Sequence, residues 1–262
     1  MRTLAFTLPN GRTMSYMEYG NGNPNAKAVL VMHGLVGSVA DEMLADKLKG
    51  IPLRMIYPAR PGYGESDYFQ MTVVSDWAKQ LNTFLDALHL DFFDVAGISA
   101  GAPYAYSFAA LYPNRVKTVY INSGVSAVYE PEILSCYPQQ DIAFYQKLQK
   151  ATREKAGQWL YNAYIPFFTE EIKRSRNFLD AMGGDLLNIG QESILQTLPW
   201  GFDVKDIRRP VILLHGTDDQ VVPYAAAKAT AARIPNAELI TLEAEGHTSP
   251  RTMQAFMRLL TR

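Results

Sequence analysis

Apolar and polar positions follow two different periods along most of the chain. Runs that are apolar at nearly every position are typical of strands buried on both faces of a sheet, and stretches with a period near 3.6 are typical of amphipathic helices. Strand-like runs occupy residues 28–32, 53–57, 92–98, 116–122, 211–215 and 238–242. Helix-like stretches occupy residues 39–49, 75–89, 100–112 and 224–234, and a last one begins near residue 250. This alternation predicts an α/β fold with a mostly parallel, doubly wound sheet.

Two segments that precede this alternation have the pattern of a strand pair. Residues 4–8 and 13–19 alternate in polarity, and Pro9-Asn10-Gly11-Arg12 between them has the composition of a turn. These features predict an antiparallel hairpin at the N-terminus.

The alternation stops after Ile121 and resumes at Val211. Residues 125–203 contain no convincing buried strand, and their helical stretches are separated by Gly183-Gly184 and by Pro131, Pro138, Pro166 and Pro199. We therefore expect a helical insertion at 125–203 in a sheet domain formed by residues 1–124 and 204–262. Because the insertion follows the strand that ends near Asn122, it is expected to emerge at the carboxyl edge of the sheet, where sites form.

The composition argues against several classes of partner. The chain has 262 residues, of which 48% are hydrophobic, and its 25 Lys and Arg nearly balance its 26 Asp and Glu. A net charge near zero gives no reason to expect nucleic acid or an anionic membrane as a partner. No stretch approaches the ~18 consecutive apolar residues of a membrane span, and the N-terminus lacks the apolar run of a secretory signal, so we expect a soluble, cytoplasmic protein. The single cysteine, Cys136, is expected to be a small packed side chain.

The strongest chemical signal is Gly97-Ile98-Ser99-Ala100-Gly101, which lies between a predicted strand and a predicted helix. A nucleophile held at a sharp strand-to-helix turn needs small neighbours, because the strand end and the helix start approach closely. In that geometry Ser99 stands above the sheet, and the backbone N–H of Ala100 points to where an oxyanion would form. The pattern alone is also compatible with a helix N-cap serine beside a packing glycine.

A serine nucleophile needs a base to take its proton, and an imidazole is suited to that task. Of the four histidines, His89 ends an amphipathic helix, and His33 and His215 stand at strand ends just before a glycine. His247 follows the last predicted strand, at the sheet edge where sites form. We therefore expect His247 to be the base, and the alternative is a solvated loop histidine.

The acid that orients the base has two candidates, Asp218 and Asp219, just past the strand at 211–215. The residues themselves leave open which one orients His247 and which one caps the loop. The strand that ends in Tyr120-Ile121-Asn122-Ser123 offers no acid.

A second N–H group for an oxyanion is expected from the loop after the strand at 28–32. This loop reads His33-Gly34-Leu35-Val36-Gly37-Ser38, and the N–H of Leu35 is the candidate, beside that of Ala100. An ordinary glycine turn is the alternative. No histidine–acid cluster has the spacing of metal ligands, so we expect neither a metal nor a cofactor.

Together these motifs resemble the α/β-hydrolase superfamily over essentially the whole chain. The resemblance implies an α/β-hydrolase fold with the triad order serine, acid, histidine, in which the acid stands three residues after Gly216 and is Asp219. It also implies that residues 125–203 form a lid, or cap, over the site. The matching segments are His33-Gly34, Arg60-Pro61-Gly62-Tyr63-Gly64-Glu65-Ser66, Gly97-Ile98-Ser99-Ala100-Gly101, Gly216-Thr217-Asp218-Asp219 with Pro223, and Gly246-His247.

The resemblance also narrows the activity. Haloalkane dehalogenases and epoxide hydrolases of this fold use an aspartate where this chain has Ser99, and prolyl aminopeptidases usually carry a tryptophan where it has Ala100. The expected activity is hydrolysis of a carboxylic ester through an acyl-enzyme, with C–C bond hydrolysis and thioesterase action as alternatives. Outside catalysis, the alternative is a ligand receptor that keeps the fold and the triad but signals through cap movement.

The expected cap is rich in aromatic residues, most of which we expect to be buried against the sheet domain. Those that line the site would favour a small-molecule substrate with an apolar part, and we expect Trp159 and Phe168 to affect substrate preference. The aromatic residues of this segment are Tyr129, Tyr137, Phe144, Tyr145, Trp159, Tyr161, Tyr164, Phe167, Phe168, Phe178 and Trp200.

Overall fold

The computed structural model describes residues 3–40 and 42–262, without the side chains of residues 42–44. Asp41, which falls inside the helix predicted at 39–49, lies outside the described residues. So do Met1 and Arg2, which belong to the N-terminal segment that lacks a signal-like apolar run.

A sheet of eight strands forms the centre of the described part of the chain. The strands are β1 (Leu4–Thr7), β2 (Thr13–Gly20), β3 (Lys27–Met32), β4 (Leu53–Pro58), β5 (Phe93–Ile98), β6 (Val116–Asn122), β7 (Val211–Gly216) and β8 (Ala237–Leu242). Their spatial order is β1-β2-β4-β3-β5-β6-β7-β8. β2 runs antiparallel to both β1 and β4, and all the other neighbours are parallel.

Helices cover both faces of this sheet. They are α1 (Glu42–Leu48), α2 (Ser75–Ala87), α3 (Ala102–Leu111), α4 (Pro131–Leu134), α5 (Gln139–Leu148), α6 (Arg153–Tyr164), α7 (Glu170–Arg174), α8 (Arg176–Met182), α9 (Leu187–Gln196), α10 (Tyr224–Arg233) and α11 (Pro250–Leu260). Short 3₁₀ helices occur at Ser99–Gly101, Ile165–Phe167 and Val204–Asp206.

The architecture confirms the predicted fold class. The hairpin predicted at 4–8 and 13–19 is β1 with β2, and the six strands predicted after it are β3 to β8. The last of them, β8, lies at the edge of the sheet and is only partly buried. Residues 125–203, all of them described, contain helices α4 to α9 and no strand.

Each face of the sheet is covered by its own apolar cluster, because successive residues of a strand point to opposite sides. In β3, Leu30 and Met32 belong to one cluster together with Trp77 of α2. Val29 of the same strand belongs to the other, together with Phe256 of α11. Burial on both sides explains why these strands are apolar at consecutive positions.

Helices α6 and α9, both between β6 and β7, pack backbone to backbone at two glycines. A Cβ atom at Gly190 would overlap the backbone oxygen of Arg153, and one at Gly157 would lie 2.9 Å from the Cβ atom of Leu186. Only a residue without a side chain allows so close an approach. The two glycines therefore fix the position of α9 against α6.

We expect the substitution Gly190→Ala to lower the free energy of unfolding by about 2 kcal/mol, since the added methyl group must displace the backbone of α6. Gly184→Ala is the matched control, because a Cβ atom there meets nothing within 4 Å. Urea unfolding of both variants measures the difference. Equal stabilities would show that α6 and α9 are not in backbone contact.

Candidate active site

Ser99 lies at the turn between β5 and α3, where the chain leaves the sheet. Its φ angle is +51°, in the left-handed region that non-glycine residues rarely adopt. Such a conformation persists only where the surrounding structure enforces it, and it is typical of functional sites. The turn lifts the serine side chain above the carboxyl edge of the sheet.

Two glycines enforce this turn. A Cβ atom at Gly97 would lie 2.8 Å from the Cα atom of Ala102, and one at Gly101 would overlap the backbone oxygen of Met32 in β3. The start of α3 therefore touches both its own strand and the neighbouring strand. The glycine spacing in the sequence reflects this close approach, as we expected.

Ser99, His247 and Asp219 form a continuous chain of hydrogen bonds. Nε2 of His247 lies 2.9 Å from Oγ of Ser99, and Nδ1 lies 2.8 Å from Oδ2 of Asp219. Because a carboxylate can only accept, Nδ1 carries the proton and Nε2 is left to accept the serine hydroxyl. The structure thus brings together three residues that are up to 148 positions apart in the chain.

The environment of Asp219 keeps this carboxylate ionised. Its residue surface is only 4% exposed, and its Oδ1 accepts the backbone N–H groups of Val221 and Val222 at 2.9 and 2.8 Å. Burial raises the pKa of Asp219, but hydrogen bonds from His215, His247 and Val222 outweigh it and hold the pKa well below its usual range. A permanently charged acceptor is what an imidazole that becomes a cation requires.

Asp218 occupies a different environment from its neighbour. Its side chain is exposed, and its Oδ1 accepts a hydrogen bond from Oγ1 of Thr217 at 3.2 Å. The structure therefore places Asp219 beside His247 and leaves Asp218 at the surface.

The loops that carry Asp219 and His247 are tied to each other. A Cβ atom at Gly216 would overlap the backbone oxygen of Glu245, and the N–H of Asp218 donates to that same oxygen at 3.0 Å. The N–H of Ala244 donates to Oγ1 of Thr217 at 2.9 Å. This link fixes the distance between the acid and the imidazole.

His215 supports the acid, a role the sequence did not indicate. It is buried at the end of β7, and its Nε2 lies 2.8 Å from the carbonyl oxygen of Val222 and 3.2 Å from Oδ2 of Asp219. Its position just before Gly216, four residues ahead of the acid, was the available signal. The place of His215 in the sequence could not show whether its side chain is buried and donates a hydrogen bond to Asp219 or belongs to an ordinary turn.

The two candidate oxyanion donors belong to the loop after β3 and to the turn that carries Ser99. Gly34 packs against the serine, since a Cβ atom placed on it would lie 3.7 Å from the Cβ atom of Ser99. Leu35 and Ser99 border the same cavity, and Ala100 is the second residue of the 3₁₀ turn that begins at Ser99. Among the described turn and loop hydrogen bonds, the N–H of Leu35 donates to no backbone acceptor.

A cavity of about 1280 Å³ opens beside Ser99 and His247. Apolar side chains of β3, β4, α1 and α11 line a large part of it, including Val31, Met55, Leu48, Phe256 and Leu260. Three of its described lining residues come from the segment between β6 and β7: Tyr164, Phe168 and Asn177. The cavity can therefore take a ligand with a substantial apolar part.

The aromatic residues of that segment are mostly packed away from the cavity. Trp200 is fully buried, and Phe167 is 81% exposed. The ammonium group of Lys147 lies 3.8 Å from the ring centre of Trp159. Of the two examples chosen from the sequence, Phe168 borders the cavity and Trp159 does not. The structure therefore gives no support to the expectation for Trp159, whose ring packs against Lys147 of α5.

Among residues 3–40 and 42–262, no cluster of three or more His, Cys, Asp or Glu side chains is arranged to hold a metal ion. None of the described helices has the length and apolar character needed to cross a membrane.

A family model extends over nearly the whole of this architecture. The model of the alpha/beta hydrolase family matches residues 28–258, from β3 into α11. The chain belongs to this family. The resemblance expected from the sequence is therefore confirmed, and the protein is a hydrolase.

Two relatives of the hydrolase are distant in sequence but match most of its length. It is 26% identical over 257 residues to the uncharacterized hydrolase YcgS of Bacillus subtilis, covering 91% of this chain and 89% of the relative. It is 25% identical over 239 residues to 2-hydroxy-6-oxo-2,4-heptadienoate hydrolase of Pseudomonas putida, covering 82% and 79%. The solved esterase of Exiguobacterium antarcticum superposes with a TM-score of 0.74 at 17% identity over 99% and 98% of the two chains, which shows a common fold.

Proposed function

We propose that this hydrolase cleaves carboxylic esters through an acyl-enzyme, with Ser99 as nucleophile, His247 as general base and Asp219 as the residue that orients it. The observation that carries the proposal is the hydrogen-bond chain from Ser99 through His247 to Asp219, with both contacts of His247 below 3 Å. Nucleophile, base and orienting acid at such distances are the geometry of acyl transfer by an activated serine.

The reaction follows from this geometry in two halves. Nε2 of His247 takes the hydroxyl proton of Ser99 as Oγ attacks the ester carbonyl carbon, and Asp219 stabilises the imidazolium that forms. The carbonyl oxygen becomes an oxyanion that accepts hydrogen bonds from the N–H groups of Leu35 and Ala100. His247 then protonates the departing alcohol, which leaves Ser99 acylated. In the second half, His247 takes a proton from water as the water attacks the acyl-enzyme, and it returns that proton to Oγ of Ser99 as the carboxylic acid leaves.

We further propose that residues 125–203 are a cap over a core formed by residues 1–124 and 204–262. Support comes from Tyr164, Phe168 and Asn177, which border the same cavity as Ser99 and His247. Such a cap would exclude water from the acyl-enzyme. Most of the residues that line the cavity belong to the core, so the core determines most of the shape that a substrate must fit.

The cavity favours an ester with an apolar acyl or alcohol part. Its volume of about 1280 Å³ exceeds what a small ester such as an acetate fills, and most of its wall is apolar. Fluorophosphonate labelling followed by a screen of esters of increasing chain length tests this proposal. Labelling of Ser99 without turnover of any ester would favour the ligand-receptor alternative.

C–C bond hydrolysis is the second candidate, favoured by the similarity to the Pseudomonas putida hydrolase. The heptadienoate in the name of that relative is a carboxylate. A pocket that binds a carboxylate is expected to contain a cationic side chain that pairs with it. The described lining cations here are Lys47 and Arg251, both exposed, and Arg251 is paired with Glu245 at 3.1 Å. The absence of a buried cation in the described cavity wall favours the ester.

The substitution Ser99→Ala is expected to leave the fold intact and to lower ester turnover by about 10⁴- to 10⁶-fold, since it removes the nucleophile. Circular dichroism checks the fold, and a stopped assay with a p-nitrophenyl ester measures turnover. Activity within tenfold of the unsubstituted hydrolase would mean that Ser99 is not the nucleophile.

Asp219→Asn is expected to reduce kcat by about 10⁴-fold, as in the serine proteases, where the same change traps the wrong tautomer of the base. Asp218→Asn is the matched control and should change kcat less than threefold, because Asp218 is exposed and does not contact His247. Steady-state kinetics of the two variants decide the assignment. Equal losses, or a larger loss for Asp218→Asn, would contradict it.

Phe168→Ala is expected to shift the preference between short and long esters, because this ring borders the cavity. Trp159→Ala is the matched control from the same segment and should leave the preference unchanged, since its ring lies against Lys147. The measurement is the ratio of kcat/KM for a butyrate and a decanoate ester. A larger shift for Trp159→Ala would place the substrate elsewhere.

A further inference from the structure

Arg60 follows β4 and is completely buried, although it is always charged. Its Nη1 donates to the carbonyl oxygen of His33 at 2.6 Å, and its Nη2 donates to the carbonyl oxygen of Gly34 at 3.0 Å. One guanidinium therefore holds two consecutive carbonyl groups of the loop after β3. These are the two residues that come just before Leu35.

The imidazole of His33 places a second donor on the same carbonyl. Its Nδ1 lies 2.8 Å from the carbonyl oxygen of Gly34, and its Nε2 lies 3.3 Å from the backbone nitrogen of Arg60. A carbonyl oxygen can only accept, so Nδ1 carries the proton and Nε2 accepts. Burial and the nearby charge of Arg60 hold the pKa of His33 well below its usual range, which keeps this arrangement uncharged.

The carbonyl group of Gly34 and the N–H group of Leu35 belong to the same peptide unit. A trans peptide is planar, so its C=O and N–H groups point in opposite directions and cannot turn independently. Two donors that fix the carbonyl of Gly34 therefore also fix the direction of the Leu35 N–H. They polarise the peptide as well, which makes that N–H a better donor.

The counter-ion of Arg60 comes from the segment between β6 and β7. Glu192 of α9 is 1% exposed; its Oε1 accepts from Nε of Arg60, and its Oε2 accepts from Nη2 at 2.9 Å. The rings of Tyr63 and Tyr104 lie 5.2 and 4.9 Å from the guanidinium carbon. The guanidinium is thus held in one orientation by a two-point ion pair and two aromatic rings.

Stability alone does not account for such a pair. Removing two charges from water is costly, and replacing a buried ion pair by apolar residues of similar size is often neutral or stabilising. What apolar residues cannot do is donate to two adjacent carbonyl oxygens. The property specific to Arg60 is therefore the orientation of the loop that precedes Leu35.

We propose that Arg60, held by Glu192, is a positioning residue that aims the N–H of Leu35 at the oxyanion formed during ester hydrolysis. The inference rests on the proposed function, because it needs an oxyanion beside Ser99. Arg60 is not among the described residues that border the cavity, so it acts through the loop and not on the substrate.

The oxyanion exists only in the transition state, so a misaimed N–H should lower kcat and leave KM nearly unchanged. The test uses the double variant Arg60→Met/Glu192→Leu, which removes both charges together and leaves neither unpaired. We expect kcat to fall by about 10- to 100-fold, short of the roughly 10²- to 10³-fold loss seen when an oxyanion donor is removed. KM should stay within about threefold.

The matched control is Arg54→Met/Glu18→Leu, which removes another arginine–glutamate pair. That pair joins β4 to β2 at 2.7 Å and does not border the described cavity. We expect this variant to keep kcat within about twofold, so a fall there would point to a general effect of removing ion pairs.

An inhibitor pair separates positioning from a merely structural role. A trifluoromethyl ketone forms a hemiketal oxyanion with an active serine, whereas the matching methyl ketone binds without one. In Arg60→Met/Glu192→Leu the inhibition constant of the trifluoromethyl ketone should rise by the same factor as kcat/KM falls, and that of the methyl ketone should not change. Parallel weakening of both inhibitors would overturn the proposal.

Two single variants keep the test decisive if the double variant fails to fold. Glu192→Gln keeps the shape but loses the countercharge, and Arg60→Lys keeps the charge but cannot donate to both carbonyls. Both should show the selective loss of trifluoromethyl ketone affinity, and full retention in Arg60→Lys would overturn the proposal. If the unsubstituted hydrolase neither labels with fluorophosphonate nor cleaves esters, the proposed function fails instead.

Discussion

Close packing of α3 against the carboxyl ends of β3 and β5 is the constraint on which the site depends. Side chains at Gly97 and Gly101 would collide with backbone atoms of Ala102 and Met32, so the chain must reverse within a few residues. Ser99 takes its positive φ angle at this reversal. Because the same contact holds the end of β3, the loop with His33-Gly34 is brought beside the serine.

Buried charges then give this frame its rigidity. Asp219 accepts four hydrogen bonds or charge contacts from the elements around it. Each of the three guanidinium nitrogens of Arg60 donates to a carbonyl oxygen or to Glu192. Groups of this kind are costly to bury unless they are fully partnered. Once partnered, they hold donors and acceptors in place without reorganisation when charge develops in a reaction.

The segment between β6 and β7 contacts the loops of the site as well as the cavity. Oδ1 of Asn177 accepts the N–H of Ser38 at 2.7 Å, and Nε2 of Gln196 donates to the carbonyl oxygen of Ala100 at 3.4 Å. Together with Glu192, these contacts reach the loops on both sides of Ser99. The proposed cap thus has a consequence beyond shielding, since its position and the geometry of the site are set by the same contacts.

The strands, most helices and Ser99 could be predicted from the sequence because their signals are local. A buried strand needs consecutive apolar residues, and a sharp turn between strand and helix needs glycines at two fixed positions around the serine. His247 could also be predicted, because it follows a strand and parallel strands bring their carboxyl ends to one edge of the sheet. The choice of Asp219 over Asp218 needed the family resemblance, because both residues follow the same strand.

Other features of the site could not be predicted from local pattern. Arg60 and Glu192 are 132 positions apart, and neither residue shows in its neighbours that it will lose all contact with water. Trp159 and Phe168 are both aromatic residues of the helical segment between β6 and β7, yet of the two only Phe168 borders the cavity. The sequence by itself determined the order of elements and the residues available for chemistry, because local sterics and periodicity are properties of short segments. The tertiary structure decided which charges are paired, which carbonyl groups of the loop after β3 are held by buried donors, and where the cavity lies, because these depend on how distant segments pack.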